Sequence, residues 1–505
     1  MTGNLPERFP MNLRSNRGTR AVTADELVPV TETLLRHGFR LTLVAAHEDA
    51  DEFRIVYLFT AGQPDRRVEV VLRTGKTTPV IPTLAAASFP AGRFEREIRD
   101  LYGITPEHHP LARRLVRHQH WPQGWYPMRA DAGSAPDFAP ADEPYPFVTV
   151  GGPGVYEIPV GPVHAGLIEP GHFRFSVVGE TILKLKVRLW FTHKGIEKLA
   201  EGRSPEDGLT LAQRISGDTT IGHSLAYSLA VEDTAGWEVP TPAVTLRAIL
   251  LEIERIYNHV GTLGGLCNDV GYAIVNSHAM RVREQLLRLG AEMTGHRLMR
   301  GAVFPGGAQV RTLPDRAQLS AIAADIDAIT DLALRNSIVR DRFTGTAVLA
   351  AQSVRDLGAL GPVARASGVD PDARRDHPFL PDTAGVGSAT QTAGDVMARF
   401  LVRAEEVTHS IELLQRLLPM AAPGVFAGAR PSLAGPGSGV GLVEGWRGTI
   451  AHRVEIRDAA LTRLKIVDPS FMTWPALPVA LAETIVPDFP LTNKSFNLSY
   501  AGNDL

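Results

Sequence analysis

Hydrophobic and polar positions alternate in two neighbouring segments near the start of the chain. Large apolar residues occupy every second position from Phe53 to Phe59, and a shorter alternation runs from Val68 to Leu72. The segment between them, Gly62-Gln-Pro-Asp65, is rich in turn-forming residues, so the pattern predicts two strands joined by a turn. A helix is predicted before them over 27–37. We therefore expect a small α+β domain over residues 1–129.

The middle of the chain changes character twice. Residues 130–147 are rich in Pro, Ala and Asp and show no periodicity, which predicts an extended linker. Residues 148–187 then contain apolar runs separated by glycines, and this pattern predicts a few short strands.

The rest of the chain shows the spacing of three and four residues that is typical of amphipathic helices. One helix is predicted to begin at Thr241-Pro242, with the threonine hydroxyl as N-cap and proline in the first helical position. A second helix is predicted from about Asp395. Their apolar stripes are Leu246, Ile249, Leu250, Ile253, Tyr257 and Val260, and Phe400, Val407, Ile411, Leu414 and Leu418. The predicted fold class is α+β, with a mainly helical domain over 148–505 that begins with a small β region.

Composition narrows the function classes. The chain has 505 residues and a net charge of −3, so charge alone draws it neither to nucleic acid nor to an anionic membrane. A single cysteine excludes an internal disulfide framework and fits a reducing compartment. The first residues carry Glu and Pro where an export signal is apolar, and no window holds the roughly 20 apolar residues of a membrane span. We expect a protein whose attachment to any membrane is through other subunits.

Several motifs, in one order along the chain, carry a resemblance to a known family. Residues 214–224, Arg-Ile-Ser-Gly-Asp-Thr-Thr-Ile-Gly-His-Ser, and residues 495–504, Ser-Phe-Asn-Leu-Ser-Tyr-Ala-Gly-Asn-Asp, resemble the two metal-binding motifs of nickel–iron hydrogenase large subunits. Residues 161–175 and His-Lys-Gly-Ile-Glu-Lys at 193–198 also fit that family. Residues 94–104 resemble the small partner subunit of respiratory complex I. The chain is similar to large subunits of complex I and of formate hydrogenlyase-type (group 4) membrane hydrogenases, with the small partner domain fused in front.

The resemblance implies that four metal-binding thiolates have been replaced. The positions where the family's hydrogenases carry cysteine hold Ser216, Thr219, Ser499 and Gly502. A soft metal centre needs thiolates, and neutral hydroxyls are poor substitutes. The resemblance therefore implies no nickel–iron centre and no metal in this chain. The vacated space is either an open cavity or one closed by repacking, and the sequence favours neither.

In complex I, by resemblance, the vacated region contributes to a quinone-headgroup pocket beside an iron–sulfur cluster of a neighbouring subunit. Tyr227 matches the tyrosine of that pocket, where its phenol would supply a proton. The alternative is a buried tyrosine with a satisfied hydroxyl. The family has two histidines in the turn that holds His164, and this chain matches only the first; His172 follows nearby. Either histidine is a candidate proton donor, and either is equally a residue that caps a turn.

Further candidates come from the same motifs. Glu197 matches a glutamate that relays protons near the hydrogenase metal, and the alternative, which we favour, is an ion pair with a nearby Arg or Lys. His223 follows the first pair of vacated positions and is a candidate for binding an acceptor or for a structural role. Arg174 is either a partner for an anionic cluster environment or a surface residue. Cys267 lies in an apolar run and is expected to be a buried small hydrophobe.

The resemblance implies a function in a membrane-bound oxidoreductase complex. The chain would bind no cofactor itself and would place an electron acceptor, with quinone as first candidate, beside an iron–sulfur small subunit. Antiporter-like membrane subunits would hold it, as a peripheral subunit, on the cytoplasmic face of the cell membrane. A label of the NADH dehydrogenase type would follow from the family alone, since we find no nicotinamide site. The competing hypothesis is a redox-inert structural subunit that couples conformational change.

Overall fold

The computed structural model describes residues 11–12, 16–138, 140, 144–166, 168–380, 389–431, 433 and 435–505. For residues 11 and 12 it describes the backbone only. The N-terminal segment for which no export signal is predicted, and residues 139 and 141–143 of the predicted linker, lie outside this part. The observed mixture of helices and small sheets confirms the predicted α+β class.

The N-terminal unit is a five-stranded sheet with two helices. Its elements are β1 (Met11–Asn12), β2 (Arg17–Val22), α1 (Ala24–Arg36), β3 (Arg40–Glu48), β4 (Glu52–Ala61), β5 (Arg66–Gly75), β6 (Val80–Pro82), α2 (Phe89–Tyr102) and β7 (Thr105–Glu107). The sheet order is β1-β2-β5-β4-β3, and only β2 and β5 run parallel. The predicted strand pair is therefore present as β4 and β5, and the predicted helix as α1.

Strand β4 is buried on both faces, which its alternating sequence did not indicate. On one face the Phe53 ring meets Tyr102 of α2 at 6.2 Å between centroids. On the other, Val56 and Leu58 are fully buried, and Arg54 donates to Glu455 of a later strand at 2.8 Å. The second face is buried because the C-terminal half of the chain packs against it.

Residues 130–147 contain neither helix nor strand where they are described. The three strands after them form an antiparallel sheet in the order β10-β9-β8: β8 (Val155–Val160), β9 (His172–Val178) and β10 (Thr181–Arg188). These are the short strands predicted for this region. The connection between β8 and β9, described at 161–166 and 168–171, carries both candidate histidines at or beside it.

Helices dominate the next two hundred residues. They are α3 (Ile196–Ala200), α4 (Pro205–Ala212), α5 (Thr220–Ala235), α6 (Thr241–Asp269), α7 (Ala273–Thr294), α8 (Arg316–Arg335), α9 (Ser337–Phe343), α10 (Ala351–Leu357), α11 (Gly361–Arg365), α12 (Ala373–Asp376) and α13 (Val396–Leu417). Helices α7 and α13 both pack on α6, which is buried along most of its length. The capping prediction for α6 was wrong. Pro240 is the N-cap and Thr241 is already helical, so the helix start has no side-chain capping hydrogen bond.

A buried ion cluster lies where α6, α11 and α13 meet. Arg365 donates to Glu406 at 2.8 Å and to Glu444 at 2.9 Å, and His259 contacts Glu406 at 2.7 Å. Each of these side chains is at most 1% exposed. Buried charges are tolerated at such a position only when each has a partner, so the cluster fixes the mutual placement of the three helices.

A three-stranded antiparallel sheet near the C-terminus escaped prediction: β14 (Gly437–Gly445), β15 (Gly448–Arg457) and β16 (Ala460–Val467). Strand β14 lies against α5, and a Cβ added at Gly441 would stand 1.9 Å from the Ala226 carbonyl oxygen. Glycine is thus required for this close approach, and its presence removed the pattern of large apolar residues by which strands are predicted. The other elements are β11 (Val303–Phe304), β12 (Gly307–Val310), β13 (Gly424–Ala427), α14 (Pro469–Thr473), α15 (Ala476–Ala480), α16 (Phe489–Phe496) and α17 (Tyr500–Asp504).

Buried ion pairs tie the N-terminal unit to this sheet. Arg453 of β15 donates to Glu69 of β5 at 2.9 Å, with side chains 3% and 5% exposed. Arg17 meets the same carboxylate at 3.3 Å, and Lys465 of β16 meets Glu97 of α2 at 2.6 Å. In the described part of the chain, no helix combines the length and apolar character needed to cross a bilayer.

Removal of one partner from the buried interface should be costly. We expect Arg453→Ala to lower the free energy of unfolding by about 3–5 kcal/mol, because it leaves Glu69 buried with one cation fewer. Urea denaturation measures this change. The control is Arg73→Ala, whose side chain is 49% exposed and pairs with Asp49 at 3.2 Å; it should cost less than about 1 kcal/mol. Equal losses in both variants would contradict the interface assignment.

Candidate functional site

The two segments that carry the four vacated positions meet in the interior. Ser216 and Thr219 precede α5, and Ser499 is the N-cap of α17. The hydroxyls of Ser216 and Ser499 are 2.8 Å apart, and Ser499 Oγ also accepts from the backbone N–H of Gly502 at 2.8 Å. Residues 283 positions apart are thus joined by one hydrogen bond between the former ligand positions.

A carboxylate fills the space beside Gly502. A Cβ added at Gly502 would lie 2.6 Å from Oδ2 and Cγ of Asp468. Asp468 is held there because its Oδ1 caps α14, accepting from the Ser470 N–H at 2.8 Å. Residue 502 therefore has no room for a cysteine, or for any side chain, while Asp468 keeps this position.

Asp468 anchors a buried pair of imidazoles. Its Oδ2 is 3.0 Å from Nε2 of His223, and Nδ1 of His223 is 3.0 Å from Nε2 of His452. A neutral His223 that donates to the carboxylate accepts at Nδ1 from His452, which leaves Nδ1 of His452 as an acceptor. That atom is buried, and it has no hydrogen-bond partner in the described part of the chain.

The charges in this cluster are set by burial and pairing. Burial opposes the charge of Asp468, but His223, Arg447 and Ser470 together outweigh it, so the pKa of Asp468 is lowered. Burial, followed by the neighbouring His223, holds the pKa of His452 well below its usual range. The cluster is therefore a carboxylate with a neutral terminal imidazole.

Thr219 belongs to a second polar group next to the first. Its hydroxyl donates to Asp218 at 3.0 Å and accepts from Trp446 and Arg447, each at 3.1 Å. Arg447 in turn pairs with Asp218 at 2.6 Å. Burial alone would raise the pKa of Asp218. Arg447, together with the Ser216 and Thr219 hydroxyls, more than offsets this effect and lowers the pKa to about 2.

The former metal positions are thus packed and hydrogen-bonded. Ser216 and Thr219 are 2% exposed and Ser499 is 4% exposed, which corresponds to the repacked alternative. Hydroxyl groups and a glycine do not fit nickel or iron, which need thiolates here. Within the ranges that the structure describes, no group of three or more His, Cys, Asp or Glu side chains is arranged to hold a metal ion.

Tyr227 lies one turn beyond His223 in α5. It donates to the Pro205 carbonyl oxygen at 2.7 Å, while its ring meets His452 at 6.2 Å. The residue is fully buried, and burial raises its pKa well above the usual range. This placement corresponds to the alternative of a satisfied, buried tyrosine.

The two candidate histidines each contact a backbone carbonyl at the opposite end of the connection between β8 and β9. Nε2 of His164 contacts the Gly171 carbonyl oxygen at 2.8 Å, and Nδ1 of His172 contacts that of Gly161 at 3.0 Å. Nε2 of His172 is buried, and among described residues it has no partner. Among these three candidates, His172 is the one with a buried, uncommitted ring nitrogen, because Nε2 of the partly buried His164 is bonded to Gly171 and the Tyr227 hydroxyl is bonded to Pro205.

His172 faces a cavity of about 240 Å³. Sequence reasoning missed the other lining residues, which come from the N-terminal unit, the linker, the end of β10 and the segment after it: His118, Gln119, His120, Pro144, Tyr145, Phe147, Arg188 and Phe191. The only signal for them was the His-Gln-His-Trp segment at 118–121. Burial, followed by Arg188, lowers the pKa of His118 to about 4, so this ring is a neutral wall of the cavity.

The remaining candidates have ordinary partners. Glu197 forms the ion pair that we favoured, with Arg463 at 2.8 Å and Lys465 at 3.1 Å. Arg174 is partly exposed and pairs with Glu157 at 3.3 Å. Cys267 is buried in the helical core, where burial raises its pKa to about 12, as expected of a small hydrophobe.

Glu254 was missed because it lies within the apolar pattern of α6. Its carboxylate accepts from the backbone N–H groups of Ile221 and Gly222 at 2.7 and 2.9 Å, which caps the start of α5. Burial raises its pKa to about 8. A buried acid thus lies beneath the vacated positions.

The contact between Gly502 and Asp468 can be tested by substitution. Gly502→Ala should lower the free energy of unfolding by about 1–3 kcal/mol, because the new methyl group overlaps the carboxylate. In the Asp468→Gly background the same substitution should cost less, and a double-mutant cycle measures the difference. Gly217→Ala is the control, since nothing lies within 4 Å of its Cβ position. Equal costs in both backgrounds would contradict the overlap.

Glu254 should make stability depend on pH. Its folded pKa, about 8, lies above the ordinary value of 4.5. Between these values the unfolded chain loses a proton that the folded chain keeps, so stability falls as pH rises and levels off above about 8. Glu254→Gln should remove this contribution in urea titrations at several pH values, while exposed Glu284→Gln should not. An unchanged slope in Glu254→Gln would refute the assignment.

Comparisons with known proteins agree with this architecture. The chain matches the respiratory-chain NADH dehydrogenase 30 Kd subunit family over residues 21–137, the nickel-dependent hydrogenase family over 194–263, and the respiratory-chain NADH dehydrogenase 49 Kd subunit family over 269–438. The three matches follow the order of the motifs.

Individual relatives match most of the chain. Hydrogenase-4 component G of Escherichia coli (strain K12) is 33% identical over 81% of this chain and 73% of that protein. Formate hydrogenlyase subunit 5 of the same organism is 32% identical over 87% and 78%, respectively. A chain of the membrane-bound sulfane sulfur reductase, an archaeal respiratory membrane complex, superimposes with a TM-score of 0.65 at 26% identity, over 70% of this chain and 99% of that one. The chain therefore belongs to the family of hydrogenase-like large subunits shared by respiratory complex I and formate hydrogenlyase-type complexes, fused to the small complex I-type partner domain.

Proposed function

We propose that this chain is a subunit of a membrane-bound oxidoreductase complex of the complex I and hydrogenase type, without a nickel–iron centre. In this proposal it positions an electron acceptor, with quinone as first candidate, beside the iron–sulfur cluster of a small partner subunit. Antiporter-like subunits hold it on the cytoplasmic face of the membrane. The redox cofactor belongs to the neighbouring subunit, and this chain supplies position and protons.

One observation carries the proposal. The four former thiolate positions are joined into hydrogen-bonded groups around Asp468 and Asp218, so the scaffold is retained while the metal chemistry is gone. A retained scaffold without its metal still presents a surface beside a partner's cluster. A quinone that is reduced at this surface also needs protons, which a side chain near it must deliver.

The geometry favours His172 for proton delivery. Its Nε2 has no partner in the described part of the chain, and the imidazole lines an apolar cavity of about 240 Å³. This volume is below the range for drug-sized ligands, so the cavity suits a quinone headgroup alone rather than a headgroup together with its hydrocarbon tail. Tyr227 is bonded to the Pro205 carbonyl instead. We therefore assign proton delivery to His172 and a structural role to Tyr227.

The acceptor site can be located by labelling the native membrane complex with an azido-quinone and mapping the labelled peptides. Label on the peptide that contains His172 would support the proposed site. Label confined to other subunits, with this chain present and folded, would refute it. Metal analysis of the same complex should find no stoichiometric nickel, and nickel-dependent hydrogen uptake would overturn the proposal.

His172→Gln should reduce quinone reduction by the complex at least about 100-fold, as expected for loss of a general acid. Gln keeps a polar side chain of similar reach, so assembly of the complex should be unchanged. Tyr227→Phe is the matched control and should leave turnover within a few-fold of wild type, while it destabilises the chain by about 1 kcal/mol through loss of one buried hydrogen bond. The reverse order of effects would return the proton-donor role to Tyr227.

A second candidate function is a redox-inert subunit that couples conformational change between the cluster subunit and the membrane arm. The burial of Ser216, Thr219 and Ser499 and the hydrogen bond between Ser216 and Ser499 favour it. In that case His172→Gln would leave turnover unchanged, and azido-quinone would label only other subunits.

A further inference from the structure

A second cavity, of about 350 Å³, lies between the N-terminal unit and the C-terminal end of the chain. Its walls are mainly apolar and aromatic, and include Leu101, Trp121, Trp125, Met128, Trp190 and Leu199. Three acidic side chains, Glu97, Glu197 and Asp504, also line it. Acidic groups are unusual in the wall of an apolar cavity, because a buried carboxylate needs partners.

The Glu97 carboxylate is buried, but one of its two oxygens has no hydrogen-bond partner among the described residues. It belongs to α2 of the N-terminal unit and is 7% exposed. Its Oε1 accepts from Lys465 at 2.6 Å, whereas its Oε2 is buried and has no hydrogen-bond partner among the described residues. One oxygen of the carboxylate is therefore fixed and the other is uncommitted.

Glu197 is held much more firmly. Lys465, the same cation that binds Glu97, is 3.1 Å from Glu197 Oε1, and that oxygen also accepts from the Ile466 N–H at 3.0 Å. Arg463 forms an ion pair with the other oxygen at 2.8 Å, although this contact lacks hydrogen-bond geometry. One ammonium thus bridges two carboxylates, one from each half of the chain, and no other group links them through direct contacts in the described structure.

The two carboxylates differ in their hold on a proton. Burial raises the pKa of Glu97. Burial also opposes the charge of Glu197, but Arg463 and Lys465 outweigh it, and the pKa of Glu197 is lowered. The charged groups that face Glu97 are Lys465 and Arg463 from β16, Glu197 from α3 and Arg93 from its own helix. Lys194, Lys198, His193 and Asp504 line the cavity beyond them.

We propose that Glu97 is a proton-exchange residue, which takes up protons from water in this cavity at its uncommitted oxygen and returns them to it. One proton from water binds to Glu97 Oε2 while Oε1 stays paired with the Lys465 ammonium, and release of the same proton to water restores the carboxylate, so charge and proton number are conserved. The fused N-terminal unit thereby contributes a functional side chain as well as a docking surface. The inference rests on the proposed function in one respect, that reduction of the acceptor consumes protons.

Infrared pH titration of the full chain tests the proposal directly. A protonated carboxyl group has a carbonyl stretch that a carboxylate lacks, so Glu97 should contribute a band that disappears as pH rises. Glu97→Gln should remove this band. The control is Glu95→Gln on the same helix: Glu95 accepts from Thr83 and Leu84 through both oxygens, and burial raises its pKa to about 7, so this variant should remove a different titrating band. An unchanged titration in Glu97→Gln would overturn the proposal.

Access through the cavity is tested separately, with Glu97 intact. Leu199 lines the cavity and is 48% exposed, so Leu199→Trp should narrow the entrance. It should slow hydrogen–deuterium exchange of the Glu97 carboxyl band several-fold and leave the Glu95 band unaffected. Unchanged exchange would exclude the cavity as the route. Neither measurement uses an electron acceptor, so failure here leaves the proposed function standing, and failure of quinone labelling leaves this result interpretable.

Discussion

The contact between the Asp468 carboxylate and His223 is the constraint around which the C-terminal half is organised. It joins α5 to the start of α14, and the same carboxylate occupies the space beside Gly502 in α17. His452 extends the cluster to the central strand of the last sheet. In metal-bearing relatives, by resemblance, thiolate bonds to a metal connect the same two segments. Here the Asp468 carboxylate, the Arg447 guanidinium and hydrogen bonds among small polar groups hold them together, since Arg447 binds both Asp218 and the Asn497 carbonyl oxygen.

This replacement has a physical logic. Four thiolates and a metal form a buried charged centre, and simple loss of the metal would leave unpaired thiolates in a low-dielectric interior. Neutral hydroxyls at positions 216, 219 and 499 carry no such charges, and the Asp468 carboxylate beside Gly502 is paired with an imidazole. The same rule governs the ion cluster at Arg365 and the interface at Glu69, where each buried charge meets an opposite one.

Much of the fold could be predicted from the sequence because its signals are local. Periodicity located β4, β5, α1, α6 and α13 to within a few residues, and motif order indicated the family. What escaped prediction depends on distant residues. Asp468 and His223 are 245 positions apart, and no local sequence pattern around either residue predicts their contact. Strand β14 is hidden by glycines that exist only because α5 lies against it. Glu197 was assigned its ion pair correctly, but the sequence could not indicate that one partner, Lys465, also serves the N-terminal unit.

The two-sided burial of β4 has a consequence for how the protein is made. A sheet with one exposed face can persist as a separate domain, whereas β4 has apolar residues on both faces and an arginine whose partner lies four hundred positions away. Released from the rest of the chain, this unit would expose a broad apolar surface and invite aggregation. Continuous synthesis as one polypeptide supplies the covering half at a fixed ratio of one to one and at high local concentration. Covalent fusion therefore replaces a bimolecular assembly step with an intramolecular one, and neither half needs to be soluble alone.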